Sequence, residues 1–75
     1  MEVVSKEKFK VLAKRSEGWW ALTFPGRQGW FSQGKDEAEV EFMAKDLINL
    51  ETGIPTSEIE LEIEYQNSAV VNLQN

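Results

Sequence analysis

The side chains of this chain that could carry out chemistry are carboxylates. Its 75 residues include 13 Asp and Glu but no Cys and no His. Zinc sites of the usual kind, proton transfer by histidine and disulfides are therefore excluded. Carboxylates can still catalyse reactions by converging on divalent metal ions. The candidates for that role are Glu17, Asp36, Glu37, Glu39, Asp46 and the glutamates between residues 58 and 64.

The spacing of these carboxylates does not bring them to one point. Glu37, Glu39 and Glu41 do not converge on one spot of the helix predicted to carry them. The glutamates of residues 58–64 are spread along a strand. No residue supplies a nucleophile together with a base. The sequence therefore predicts a protein that is not an enzyme and has no metal or cofactor site.

The most regular pattern runs from Glu58 to Tyr65, where glutamate and large apolar residues alternate without exception. A period of two is the signature of a β-strand with one dry face and one wet face. The dry face is predicted to hold Ile59, Leu61, Ile63 and Tyr65. The wet face is predicted to hold Glu58, Glu60, Glu62 and Glu64, here called the glutamate row. The row can either dock a basic partner or keep an edge strand from aggregating.

Three further strands are predicted before this one. Alternation of apolar and basic residues predicts the first strand at Lys8–Lys14, and aromatic residues predict the second at Trp19–Phe24. Residues 15–18 form a connection of hairpin length. Pro25–Gly29 ends the second strand, and a short third strand follows at Trp30–Gln33.

A change of period then predicts an amphipathic helix from Asp36 to about Thr52. Asp36 and Glu39 have the spacing of a capping box, and Gly53 suits the position after the last helical residue. The apolar positions at three- and four-residue spacing are Val40, Met43, Ala44, Leu47 and Ile48.

These elements predict a single α+β domain over residues 1–75, with a core at about 8–65 and a tail at 66–75. Short connections favour an antiparallel meander of the first three strands. A helix crossing one face of the sheet then makes the last strand parallel to the strand it joins. Its placement beside the first strand, in the order 3-2-1-4, is favoured because it brings opposite charges together. Three lysines would lie beside the four members of the glutamate row and leave it slightly negative. They are Lys8, Lys10 and Lys14.

Two tryptophans are candidate anchors for a partner or a second copy. Adjacent strand residues face opposite sides, and Trp20 continues the alternation of Leu22 and Phe24, so Trp19 is predicted to face away from the helix. An exposed tryptophan is a common hot spot, although Trp19 could also pack over the sheet or under the tail. Trp30 lies in a strand too short to fix the direction of its side chain.

The net charge of −5 disfavours nucleic acid and anionic membranes as direct ligands, because phosphate binding needs clustered Lys and Arg. A basic stripe of Lys8, Lys10, Lys14 and Arg15 beside Trp19 would be largely cancelled by the glutamates. No apolar run approaches the ~20 residues of a membrane span, and the N-terminus lacks the apolar core of a signal peptide. The expected location is the cytoplasm, and a basic protein is a compatible partner.

Several short motifs, taken in order, resemble the N-terminal domain of HicB-type antitoxins. They are Gly18-Trp19-Trp20, Phe24-Pro25, Gly29 and Ser32-Gln33-Gly34, followed by an acidic amphipathic helix. The similarity runs from about Phe9 to Tyr65. The segment from Thr52 to Leu61 also resembles small stand-alone HicB-like proteins that end soon after their last strand.

The resemblance implies a partial RNase H-like βββαβ fold, a homodimer, and binding to a small basic RNA-cleaving toxin, HicA. HicB antitoxins usually carry a C-terminal DNA-binding domain, for which residues 66–75 are too few. The resulting hypothesis is a protein-binding module that neutralises such a toxin by occlusion. The alternative is a homo-oligomeric HicB-like protein with no toxin partner. The candidate interface residues are Trp19, Trp30, Glu58, Glu60, Glu62 and Glu64.

Overall fold

The strands and the helix lie where the spacing of apolar residues predicts them. A computed structural model describes residues 6–66. Its elements in chain order are β1 (Glu7–Ser16), β2 (Trp19–Thr23), β3 (Phe31–Gly34), α1 (Glu37–Thr52), a 3-10 turn (Thr56–Glu58) and β4 (Ile59–Gln66). The predicted βββαβ order is confirmed. The predicted tail lies outside the described residues apart from Gln66, which ends β4.

The four strands form one sheet in the order β3-β2-β1-β4. β2 pairs antiparallel with β1 and with β3, whereas β4 pairs parallel with β1. Because α1 crosses between β3 and β4, it supplies the connection that two parallel strands require. The α+β fold and the order 3-2-1-4 are therefore as predicted.

The core lies between α1 and the face of the sheet that α1 covers. Among the described residues, the buried apolar side chains are Phe9, Val11, Ala13, Leu22, Phe24, Val40, Ala44, Ile48 and Ile59. β3 can approach α1 closely because Gly34 has no side chain: a Cβ there would lie 2.8 Å from the backbone nitrogen of Val40.

Both ends of α1 carry the predicted caps. An Asp36 carboxylate oxygen accepts a hydrogen bond from the Glu39 N–H at 2.8 Å. The Glu39 carboxylate reaches back to the N–H of Lys35, one residue before the expected partner. Gly53 has a φ of 80° and donates its N–H to the Asn49 carbonyl oxygen at 2.8 Å. This bond ends the helix in the left-handed conformation that glycine favours.

The hairpin between β1 and β2 is shorter than predicted. Arg15 and Ser16 belong to β1, and the loop consists of Glu17 and Gly18 alone. Both loop residues have positive φ, at 43° and 86°. Two such residues form the kind of turn whose twist matches that of the flanking strands, so the strands continue up to it.

The start of β3 is one residue later than predicted, because Trp30 belongs to a pair of tight turns. The N–H of Arg27 donates to the Phe24 carbonyl at 2.9 Å, and the N–H of Trp30 donates to the Arg27 carbonyl at 3.4 Å. Gly26 and Gly29 supply the positive φ in these turns. The strand therefore runs from Phe31 to Gly34 rather than from Trp30.

The predicted start of the last strand at Glu58 is also wrong. Glu58 lies in the 3-10 turn, and its N–H donates to the Pro55 carbonyl oxygen at 2.8 Å. The residue is thus held by a local bond and is not part of the sheet. The glutamate row keeps three members in β4: Glu60, Glu62 and Glu64.

Candidate protein-binding surfaces

The side of the sheet opposite α1, here called the open face, carries most of the predicted site residues. Strand alternation and pairing register place their side chains there. None of the elements within residues 6–66 packs across this face. From β4 to β3, its residues are Glu60, Glu62, Glu64 and Gln66, then Lys8, Lys10, Leu12, Lys14 and Ser16, then Trp19, Ala21 and Thr23, and finally Phe31 and Gln33.

The charges of the open face are balanced, contrary to expectation. The register pairs Lys8 with Glu60 and Lys10 with Glu62. Leu12 lies opposite Glu64, because it breaks the alternation of β1, and Lys14 lies opposite Gln66. With Glu58 in the turn, three lysines accompany three glutamates rather than four. The glutamate row is therefore compensated by lysines on the neighbouring strand.

The open face presents two aromatic side chains. Trp19 is 42% exposed, and its alignment with Ser16 in the register confirms that it faces away from α1. Phe31 is 68% exposed and lies opposite Thr23. Phe31 is not among the residues predicted for an interface. Strand alternation could have indicated it: because Trp30 faces the core, the next residue, Phe31, faces outward.

Trp30 lies at the edge of the core. Its ring centroid is 5.6 Å from that of Phe24 and 6.4 Å from that of Phe9. The Arg27 guanidinium carbon lies 4.9 Å from the Trp30 ring and 5.0 Å from the Phe9 ring, which is cation–π distance. Trp30 is thus half-buried among its own neighbours, so it offers a partner less surface than Trp19 does.

The outer side of α1 carries a second surface that the sequence analysis missed. Residues four positions apart lie above one another on a helix. Ala38, Phe42, Asp46 and Leu50 have that spacing and all four are exposed; they are here called the outer stripe. Phe42 is 66% exposed and Leu50 72%. Their spacing was visible in the sequence, but the core-facing pattern of the same helix concealed it.

The acidic charge of the chain is concentrated on α1. The helix contains Lys45 and five acidic residues: Glu37, Glu39, Glu41, Asp46 and Glu51. Residues 6–66 contain eight basic and twelve acidic side chains, since Glu2 is the only one of the 13 acidic residues outside that range. The net charge of α1 is −4, and the net charge of residues 6–66 is also −4. The described residues outside α1 therefore have a net charge of zero.

Tyr65 connects β4 to the acidic helix. Its ring meets Trp20 edge-on, with 4.9 Å between centroids, and 37% of the residue is exposed. This contact puts Tyr65 on the predicted face of β4, but the residue remains exposed and is not buried in the core as predicted. Burial raises the pKa of its hydroxyl above 10.0, and the negative charges of Glu37 and Glu41 raise it further.

The two edge strands differ in charge. β4 presents Glu60, Glu62 and Glu64 along its length, whereas Phe31–Gly34 in β3 contains no charged residue. Charged side chains on an edge strand oppose pairing with another chain, and an uncharged edge permits it. Among the described strands, β4 therefore carries charges that oppose such pairing and β3 does not.

The carboxylates considered for catalysis have separate positions. Asp36 and Glu39 are used in the helix cap, and Glu17 lies in the hairpin turn. Within residues 6–66, no three acidic side chains form a group that could hold a metal ion. Over the same range, no helix combines the length and apolar character needed to cross a membrane.

Comparison with protein-family models, with curated proteins and with solved structures finds no match for this chain.

Proposed function

We propose that this chain is a non-enzymatic, cytoplasmic protein-binding module, similar to HicB antitoxins, that neutralises a small basic RNA-cleaving protein. The observation that carries the proposal is the surface of α1. The helix carries five acidic residues, one of which is Asp46 of the outer stripe, and Phe42 and Leu50 of that stripe are exposed. A surface of this kind suits a partner that is both basic and partly apolar.

The combination of charge and exposed apolar groups favours protein over nucleic acid. Phosphate groups would be repelled by the net charge of α1. A basic protein would instead be steered towards it, and large apolar side chains could form the dry centre of the contact. Covering the basic surface of an RNA-cleaving protein would keep RNA out without any chemical step.

We favour the helix over the glutamate row as the site of the expected contact. Glu60 and Glu62 lie opposite Lys8 and Lys10 on the neighbouring strand, so their charges are partly offset. The acidic residues of α1 have only Lys45 within the same helix. We therefore assign the primary contact to α1, with Trp19 on the open face as a second point of contact.

The βββαβ order supports the proposal, because the resemblance to HicB antitoxins implies the same order. The resemblance also suggests the class of partner, a small RNA-cleaving protein. The experiment is a pull-down with the tagged full chain from host lysate at low and high salt, followed by identification of any captured protein. A captured small basic protein is then assayed for cleavage of RNA with and without the chain.

The expected result is capture at low salt and loss of RNA cleavage when the chain is added. The proposal is wrong if the captured protein does not cleave RNA or if cleavage is unaffected by the chain. Recovery of the chain alone would also contradict it. That outcome would favour the alternative, a homo-oligomeric protein without a toxin partner, for which the uncharged edge of β3 is the supporting observation.

Two matched variants locate the contact. Asp46→Asn with Glu51→Gln removes two charges from α1, and Glu60→Gln with Glu62→Gln removes two charges from β4. Since the net charge changes equally, only position differs. We expect the helix variant to weaken binding of the captured protein by about tenfold and the strand variant by less. A larger effect of the strand variant would return the contact to the glutamate row.

A further inference from the structure

We infer that β3 pairs with β3 of a second copy of this chain, so that two four-stranded sheets join into one. The charges of the two edge strands favour a second copy of the chain as the partner of β3. The inference does not depend on the proposed function, because the edge of β3 and the outer stripe of α1 are different surfaces.

Self-pairing through β4 is opposed by its own sequence. Every second residue from Glu60 to Glu64 is a glutamate, and all of them face the open side. In a continuous sheet, residues that lie opposite each other point to the same face. A register that overlaps Glu60–Glu64 of the two copies in this way places glutamate opposite glutamate, which is destabilising.

β3 has no such conflict. It contains Phe31, Ser32, Gln33 and Gly34, with neither charge nor proline, and among residues 6–66 it pairs on one side only, with β2. An antiparallel pair with Ser32 on the two-fold axis puts Phe31 opposite Gln33 of the partner subunit. Both of these side chains lie on the open face. The pairing would therefore satisfy free backbone groups and cover part of a phenylalanine that is 68% exposed.

The length of the strand and the charge of the chain set the expected strength. Four residues make a short edge, smaller than a standard protein interface, so we expect a weak dimer in the micromolar range or above. Each copy has a net charge of −5. Because salt screens repulsion between two like-charged copies, dimerisation should strengthen as salt is added.

The test measures mass against concentration by sedimentation equilibrium, up to millimolar protein. One variant carries Phe31→Lys with Gln33→Lys, and a second carries Phe31→Glu with Gln33→Glu. Each variant alone would place like charges opposite each other and should be monomeric. An equal mixture would place opposite charges together, so we expect it to recover a dimer.

The control is Phe42→Lys, because Phe42 on α1 is as exposed as Phe31 but lies away from the edge. It should retain the wild-type dimer, and circular dichroism should show that all variants are folded. A monomeric wild-type chain over the whole concentration range would overturn the inference. So would a dimer that both charged variants retain, or a mixture that fails to associate although the wild-type chain does.

Discussion

At the scale of single residues, the fold acts most clearly on Tyr65. The hydroxyl titrates beside Trp20 on one side and the acidic start of α1 on the other. Burial disfavours the phenolate, and Glu37 and Glu41 disfavour it further, so the pKa rises above 10.0. The folded chain consequently holds this proton more firmly than the unfolded chain does.

We predict that stability falls as the pH rises past 10. A raised folded-state pKa gives stabilisation that is complete below the unfolded value of 10.0 and is lost as the pH passes the folded value. The chain contains one tyrosine, so the ultraviolet absorbance of tyrosinate reports Tyr65 alone. Glu37→Gln with Glu41→Gln should lower the midpoint, whereas Glu51→Gln at the far end of α1 should not. A wild-type midpoint at 10.0 would contradict the prediction.

Gly34 is the second residue whose environment leads to a prediction. A Cβ at this position would lie 2.8 Å from the Val40 backbone nitrogen, a contact that needs movement of the helix. We expect Gly34→Ala to lower the free energy of unfolding by about 1–3 kcal/mol, the usual cost of overpacking. Urea denaturation measures this. Gln33→Ala, at an exposed position of the same strand, should change stability by less than about 0.5 kcal/mol.

At the scale of elements, α1 has one face buried against the sheet and another exposed. Val40, Ala44 and Ile48 are buried against the sheet, whereas the outer stripe remains exposed. The helix begins at a well-formed cap, where the Asp36 carboxylate accepts the N–H of Glu39. This cap fixes the start of the helix and hence the positions of both faces.

We therefore predict that Asp36→Ala lowers the free energy of unfolding by about 1 kcal/mol, because it leaves a helical N–H without its acceptor. Thermal and urea unfolding followed by circular dichroism would measure the loss. Asp46→Ala is the control, since it removes an exposed carboxylate from the middle of the same helix. Equal losses in the two variants would mean that the cap bond contributes nothing specific.

At the scale of the whole molecule, the charge distribution predicts opposite salt effects on the two kinds of association. A basic partner is attracted to the net charge of α1, so its binding should weaken as salt rises. A second copy is repelled, so self-association should strengthen. Sedimentation of the chain alone and titration with the captured partner, both over one salt series, would measure the two trends. Trends of the same sign would show that one of the two surfaces is wrongly assigned.

The sequence by itself determined the type and order of the elements. The strict alternation after Glu58 and the three-and-four spacing after Asp36 are local patterns, and each needs only one face against a core. The helix caps were also readable, because their bonds join residues a few positions apart. Trp19 could be assigned to the open face because neighbouring strand residues alternate. The order 3-2-1-4 followed from the short connections, the one crossover and the match of lysines in the first strand with glutamates in the last.

Only the tertiary structure decided how the charges and aromatic residues are grouped. The pairing of Lys8 with Glu60 and the shift of Glu64 to Leu12 depend on register, which is set by hydrogen bonds between strands far apart in sequence. Glu58 is not part of the strand, because its N–H donates to the Pro55 carbonyl in a turn. The alternation of residue types does not indicate this hydrogen bond. Trp30 and Phe31 were separated by paired turns, which turned one towards the core and the other outward. Periodicity indicates which residues share a face of a strand or helix. Contacts between elements that are distant in sequence determine what each face packs against.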